Sequence, residues 1–173
     1  MLVSINYSHW GSPKLWYGVP ESHREKFDKV AKSKIAMLVK KDPNILLDII
    51  TMISPAYLAS QGVKIYKTLQ KPGEFILTLP GSYHGGFSTG PNVGEAVNFV
   101  SKSWLEYGFK CQEVYRKSRE KIPVFPIDWL VIENLRNVDK IRVDEETKWS
   151  LKRALAKVMK EEWKSRKKFN QYY

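Results

Sequence analysis

At 173 residues, 43% hydrophobic and 13% aromatic, the chain can bury one ordinary core, which excludes a disordered segment. It contains no apolar run of the roughly eighteen residues a membrane span needs, and no signal peptide is expected at its N-terminus. The single Cys111 excludes an internal disulfide and any multi-cysteine zinc site, and the net charge of +11 favours acidic partners.

The first stretch, Ser4 to Gly18, reads as two short strands around the tight turn Gly11-Ser12-Pro13, a hairpin. Ser4 and Asn6 share one face by alternation, as do Lys14 and Trp16. One surface of the hairpin would then carry a hydroxyl, an amide, an ammonium and an indole. That set suits a small carboxylate ligand, because a lysine drawn out of water needs an anionic partner.

Pro20 and Glu21 begin a helix predicted from about Glu21 to Ala31, with Phe27, Val30 and Ala31 inward. The run Lys40-Lys41-Asp42-Pro43 breaks the pattern. A second helix follows, with Ile45, Leu46, Ile49, Ile50 and Ile53 at helical spacing. Ser54-Pro55 opens a short turn through Leu58, ended by Gly62. Strands are predicted from Val63, over Gly73 to Leu79, over Tyr83 to Ser88, and over Val93 to Val100.

The remainder reads as helical. Trp104, Gly108, Cys111 and Tyr115 share a face of a helix from about Lys102 to Arg119, and Ile127 to Leu135 forms a short one. Asp144 is a helix cap followed by Glu145 and Glu146. The last helix would turn Leu151, Leu155, Met159 and Trp163 inward and its lysines outward. From Leu151 to Tyr173 there are eight basic residues against Glu161 and Glu162, a net +6. Such a charge run is most often a solvated face, and it also suits nucleic acid or chromatin.

Three segments in order, SINYSHWGSPKLWYGVP, PGEFILTLPGSYHGGFSTG and NVGEAVNFVSKSWLEYG, closely resemble the Jumonji C (JmjC) domain of histone lysine demethylases. The nearest branch resembles the one that also carries ARID, PHD and PLU-type regions. The resemblance runs from about Ser4 to Arg119. It implies a mixed, β-rich fold: a cupin-like double-stranded β-helix (jelly roll), incomplete at the N-terminus, with an inserted helical pair at about 21–62 and a helical C-terminal cap. The JmjC portion would occupy 1–119. A helical extension with the basic last helix would occupy 120–173.

The resemblance implies Fe(II) and 2-oxoglutarate as cofactors of the intact domain. His84 matches the family's distal metal-binding histidine. Lys14 matches the lysine that pairs with the far carboxylate of 2-oxoglutarate, with Asn6 and Ser4 as hydrogen-bonding neighbours, Trp16 as aromatic wall and Asn98 as a pocket amide. Without the resemblance, Lys14 would read as a solvent-facing lysine after a turn, His84 as structural and Trp16 as core. The implied partner is a methyl-lysine of the histone H3 tail, and the implied location is the nucleus.

The family's other two metal ligands, an H-x-E pair, would fall upstream of Met1. Neither His9 nor Glu95, read as lying beside the His84 strand, has the spacing to replace them. This chain alone is therefore expected to bind iron poorly, to hold neither cofactor and not to demethylate. It reads as a piece of a full demethylase, with a natural non-catalytic remnant as the competing reading. A barrel cut in this way would leave strand edges open to self-association. Two other functions stay open: a non-catalytic chromatin or nucleic-acid interaction module using the last helix, and a 2-oxoglutarate-dependent hydroxylase of another protein or RNA.

Overall fold

Proline and glycine punctuation cuts the first hundred residues into short strands, and the computed structural model assembles these into two sheets. Residues 2–41, 43, 45–47, 52–118, 126–140 and 142–170 are described. They fall into two units, Met1–Val100 and Ser101–Tyr173.

In the first unit the strands are β1 (Val3–Gly11), β2 (Lys14–Val19), β3 (Tyr66–Gln70), β4 (Phe75–Thr78), β5 (Tyr83–Ser88) and β6 (Asn92–Phe99). They form two antiparallel three-stranded sheets, ordered β4-β1-β6 and β3-β2-β5. The fold is the mixed, β-rich jelly roll that the sequence implies, with its sheets unclosed.

The expected hairpin is corrected. β1 and β2 do not pair with each other, because each strand gives both of its hydrogen-bonding edges to other strands: β1 to β4 and β6, β2 to β3 and β5. The turn between them is a corner that carries the chain from one sheet to the other. Gly11 makes the corner, with φ of 100° and an added Cβ only 2.5 Å from the Pro91 carbonyl oxygen. A register shift between Ser8 and Trp10 loosens the end of β1 just before it. Glu95 is likewise not beside the His84 strand: it lies on β6, in the other sheet.

Helices cover the back of the second sheet. α1 (Arg24–Lys34) follows a single 3-10 turn and outruns its expected end, and an unexpected α2 (Ala36–Lys41) follows it, ending within the expected break at Lys40 to Pro43. The second helix predicted from Ile45 shows only a 3-10 turn at Ile45–Leu47, and residues 48–51 lie outside those described. α3 (Pro55–Ser60) starts at Ser54, whose hydroxyl accepts from the Tyr57 N–H at 3.4 Å. Val19, Leu58 and Val63 form the buried centre here, ringed by Phe27, Val30, Ile53, Ile65 and Tyr83. Tyr83 donates its hydroxyl to Asp28 at 2.6 Å and lies 4.3 Å from the Phe27 ring, tying β5 to α1.

The second unit is helical: α4 (Leu105–Ser118), α5 (Ile127–Arg136) and α6 (Glu145–Phe169). Trp104, Phe109, Cys111, Ile127 and Val131 are buried. Gly108 is needed there, since a Cβ would meet the Trp104 ring at 2.6 Å. Asp144 caps α6 as expected, accepting from the Thr147 N–H at 2.6 Å. The inward stripe of α6 is corrected. Leu151, Ala154 and Val158 are buried, whereas Met159 and Trp163 are 61% and 64% exposed. At 100° per residue Met159 and Trp163 lie about 100° and 140° round the helix from Val158, off the buried stripe. No described helix is long and apolar enough to cross a membrane.

Candidate active site

Lys14, Trp16 and His84 share one face of the β3-β2-β5 sheet. On β2, Lys14, Trp16 and Gly18 stand opposite Ser88, Gly86 and His84 of β5 and opposite Gln70, Thr68 and Tyr66 of β3. Two glycines give this face its depth. Gly86 lies so close to β2 that an added Cβ would clash with the Leu15 carbonyl. Gly18, opposite His84, leaves the imidazole unobstructed by a neighbour. The Lys14 ammonium lies 4.5 Å above the Trp16 ring, and the Trp16 and His84 rings are 6.2 Å apart.

Ser4 and Asn6 share a face of the other sheet with Thr78 and Ile76 on β4 and with Asn98 and Ala96 on β6. Asn6 donates to the Ser4 hydroxyl at 3.1 Å and to the Ile76 carbonyl at 3.3 Å. Asn98 stands directly opposite Ser4 and is exposed on the edge strand.

Gln70 joins the two faces, and sequence reasoning passed over it. Its side-chain carbonyl accepts from the Trp16 indole N–H at 2.8 Å, and its amide donates to the backbone carbonyls of Asn6 and Glu74, both at 3.0 Å. The side chain is 3% exposed and its hydrogen bonds span both sheets. One signal could have found it. In the strand Tyr66–Gln70, the residues alternating with Lys67 and Leu69 are Tyr66, Thr68 and Gln70, a polar set on what becomes the inner face.

Between the sheets lies a cavity of about 290 Å³, lined by Trp16, Thr68 and His84 from one sheet and by Ile76 and Thr78 from the other. A larger cavity, about 410 Å³, lies on the back of the second sheet against Phe27, Leu58 and Ile65. Both linings are mostly apolar and His84 borders both; Trp16 and Thr78 border the smaller one only.

His84 is exposed as a residue, yet enough of its ring is desolvated to hold its pKa below the ordinary histidine value. Nearby positive charge, that of Lys14 included, acts in the same direction. The imidazole is therefore neutral near pH 7, the form in which it can donate a lone pair to a metal. Among the described residues no three His, Cys, Asp or Glu side chains gather where a metal could sit. His9 and Glu95 engage each other at 3.0 Å, and register pairs Glu95 with Tyr7, on the face of β1 turned away from Asn6.

By chemical type the donor set suits a small dicarboxylate, with an ammonium, an amide, hydroxyls and an indole, although of the expected residues only Trp16 and His84 line the cavity between the sheets. It fits a metal only in part, since one imidazole is a single ligand of the three that a two-histidine, one-carboxylate site requires.

The two antiparallel sheets, with a histidine and a lysine on neighbouring strands of one of them, place the fold in the cupin-like jelly-roll class. The particular family follows from comparison: residues 1–99, more than half of the chain, match the family described as JmjC domain, hydroxylase, and the chain belongs to it. It is similar to the rice (Oryza sativa subsp. japonica) lysine-specific demethylase JMJ703, with 42% identity over 123 residues covering 71% of this chain and 10% of that protein. It is also similar to lysine-specific demethylase JMJ17 of Arabidopsis thaliana, with 44% identity over 117 residues covering 68% of this chain and 10% of that protein. Human lysine-specific demethylase 5D is 45% identical over 116 residues, covering 67% of this chain and 8% of that protein. The chain thus spans about a tenth of the length of the curated relatives it matches.

Proposed function

We propose that this chain carries the 2-oxoglutarate-binding half of an Fe(II)-dependent lysine demethylase site. What supports the reading is one observation: Lys14, Trp16 and His84 share a sheet face that Gln70 links to the strand of Ser4 and Asn6. Lys14 pairs with the far carboxylate of 2-oxoglutarate, Asn6 and Ser4 orient it by hydrogen bonds, Trp16 walls the pocket, and Asn98 closes its edge. His84 would be one iron ligand. When bound, iron and 2-oxoglutarate supply the oxidising power that hydroxylates an N-methyl group, from which formaldehyde is lost. Demethylation of a lysine is supported by the three lysine-specific demethylases it resembles; that this lysine lies in the histone H3 tail and is acted on in the nucleus rests on the family resemblance alone.

Against the expectation that this chain holds neither cofactor, we propose that its half site still binds 2-oxoglutarate, while it holds iron weakly and does not turn over. Calorimetric titration of 2-oxoglutarate checks the first part: Lys14→Met weakens binding by roughly ten- to a hundredfold, the loss of a charge-assisted contact. No binding by the wild type overturns the site. Anaerobic iron titration with a methyl-peptide turnover assay checks the rest, and stoichiometric iron with turnover overturns it. We further propose that the chain self-associates through its sheet edges.

A further inference from the structure

α6 carries a second recognition surface that the demethylase reading does not use. At 100° per residue, Trp149, Lys152, Arg153, Lys160, Trp163 and Lys167 fall on one face of the helix, opposite the buried stripe of Leu151, Ala154 and Val158. Both tryptophans are 64% exposed. Each has a cation above one side of its ring, Arg153 at 5.6 Å from Trp149 and Lys167 at 5.3 Å from Trp163. The carboxylates of the C-terminal half, Glu161 and Glu162, point away from this face and pair with Lys164 and Arg166. From Trp149 onward the face is therefore cationic and aromatic, with no acid on it.

We infer that this face binds single-stranded nucleic acid. The cations match a phosphate backbone, which accounts for affinity without sequence reading. The tryptophans decide the kind of strand. Duplex phosphates would engage the lysines and leave both indoles in water, whereas unpaired bases can stack on them. The two rings are about 21 Å apart along the helix, so one strand lying on the face can reach both. An anionic membrane is disfavoured by the same geometry. A helix lying in a membrane interface must insert a continuous apolar face; here Leu151, Ala154 and Val158 are already buried by the chain itself, and the exposed Met159, Trp163 and Phe169 are spread round the helix among lysines.

The test uses the whole chain and fluorescence anisotropy with labelled oligo(dT), a duplex of equal length and, by flotation, phosphatidylserine vesicles. We expect oligo(dT) to bind more tightly than duplex, with affinity falling steeply between about 50 and 200 mM salt. Trp149→Ala with Trp163→Ala lowers oligo(dT) affinity by about ten- to a hundredfold and leaves duplex binding unchanged. Lys152→Glu, Lys160→Glu and Lys167→Glu together weaken both and reduce the salt slope by about two. All five positions are exposed, and unchanged far-ultraviolet dichroism verifies the fold. Equal binding of duplex with no effect of the tryptophans overturns the inference. So does tighter binding to the vesicles, or no binding to oligo(dT) at the lower salt. None of these outcomes bears on Lys14 or His84, so the demethylase reading stands or falls separately.

Discussion

Trp16 gives its indole N–H to the Gln70 side chain at 2.8 Å, and Gln70 in turn holds the backbone of β1 at the Asn6 carbonyl. The Trp16 ring on one sheet is thus fixed to the strand carrying Asn6 on the other by one buried amide. An amide is the group that can do this, because it accepts at one end and donates twice at the other.

Replacing Gln70 should therefore cost more than its size suggests. Gln70→Ala leaves the indole N–H and two carbonyls without their partner, a loss of about 2–4 kcal/mol in urea unfolding. Gln70→Glu still accepts from Trp16 but turns a carboxylate oxygen toward two carbonyl oxygens. Its carboxyl pKa is then raised in the folded chain, so the added instability is present at neutral pH and shrinks as the pH falls and the acid becomes protonated. Urea midpoints of both variants between about pH 5 and 7 check this. A Glu variant equally unstable throughout would count against the geometry.

The two glycines after His84 should respond very unequally to the same change. A Cβ on Gly86 would clash with the Leu15 carbonyl, whereas on Gly85 its nearest neighbour is the Met52 methyl at 3.9 Å. Gly86→Ala must push β5 from β2 and should lower stability by several kcal/mol, in the range of severe overpacking. Gly85→Ala should stay within about 1 kcal/mol. Thermal unfolding of the pair gives the comparison, and similar melting temperatures would contradict the close approach of β2 and β5.

Local punctuation made much of this fold legible. Pro80 and the glycines around His84 bound a strand that the structure has at Tyr83–Ser88, and Asp144 announced the start of α6. Strand pairing was not legible, because which edge β1 offers to which partner depends on residues some seventy positions away. The tight turn at Gly11 reads equally well as a hairpin and as a corner between sheets. Likewise, the apolar residues of α6 fit two overlapping stripes, and only tertiary packing decides that the side bearing Ala154 and Val158 is covered while the side bearing Met159 and Trp163 is not. In the site, Lys14, Asn6 and His84 stood out by their motif, but Gln70 did not, since a glutamine near a strand end carries no chemistry until its partners are known.

His84 should make stability depend on pH in a defined window. Its folded pKa lies below the ordinary value of about 6.5, held there first by desolvation and then by neighbouring positive charge that includes Lys14. Between those two values the unfolded chain binds the proton more readily, so stability is complete above about pH 6.5 and declines as the pH drops below it. His84→Asn removes this contribution. The difference in urea midpoint between wild type and variant, followed from about pH 8 to 5, should narrow or reverse on the acid side. Lys14→Met should reduce the slope by relieving part of the repulsion. A difference independent of pH would show that the ring titrates as it does in water.

The outer face of the β4-β1-β6 sheet bears on how the chain behaves in concentrated solution. Phe75 and Leu77 on β4 and Val97 and Phe99 on β6 are between 40% and 61% exposed, and among the described strands β4 and β6 each pair along one edge only. Open backbone edges beside apolar side chains favour strand-to-strand association. The chain should therefore elute later as it is diluted, and sedimentation velocity should resolve a concentration-dependent equilibrium. Leu77→Lys and Val97→Lys put a charge on each edge strand without altering the ladder to β1, and should shift that equilibrium toward the monomer at little cost in stability, because both side chains already face water. If the lysine variants associate as strongly as the wild type, contact runs through another surface, and the sheet edges are not what brings two copies together.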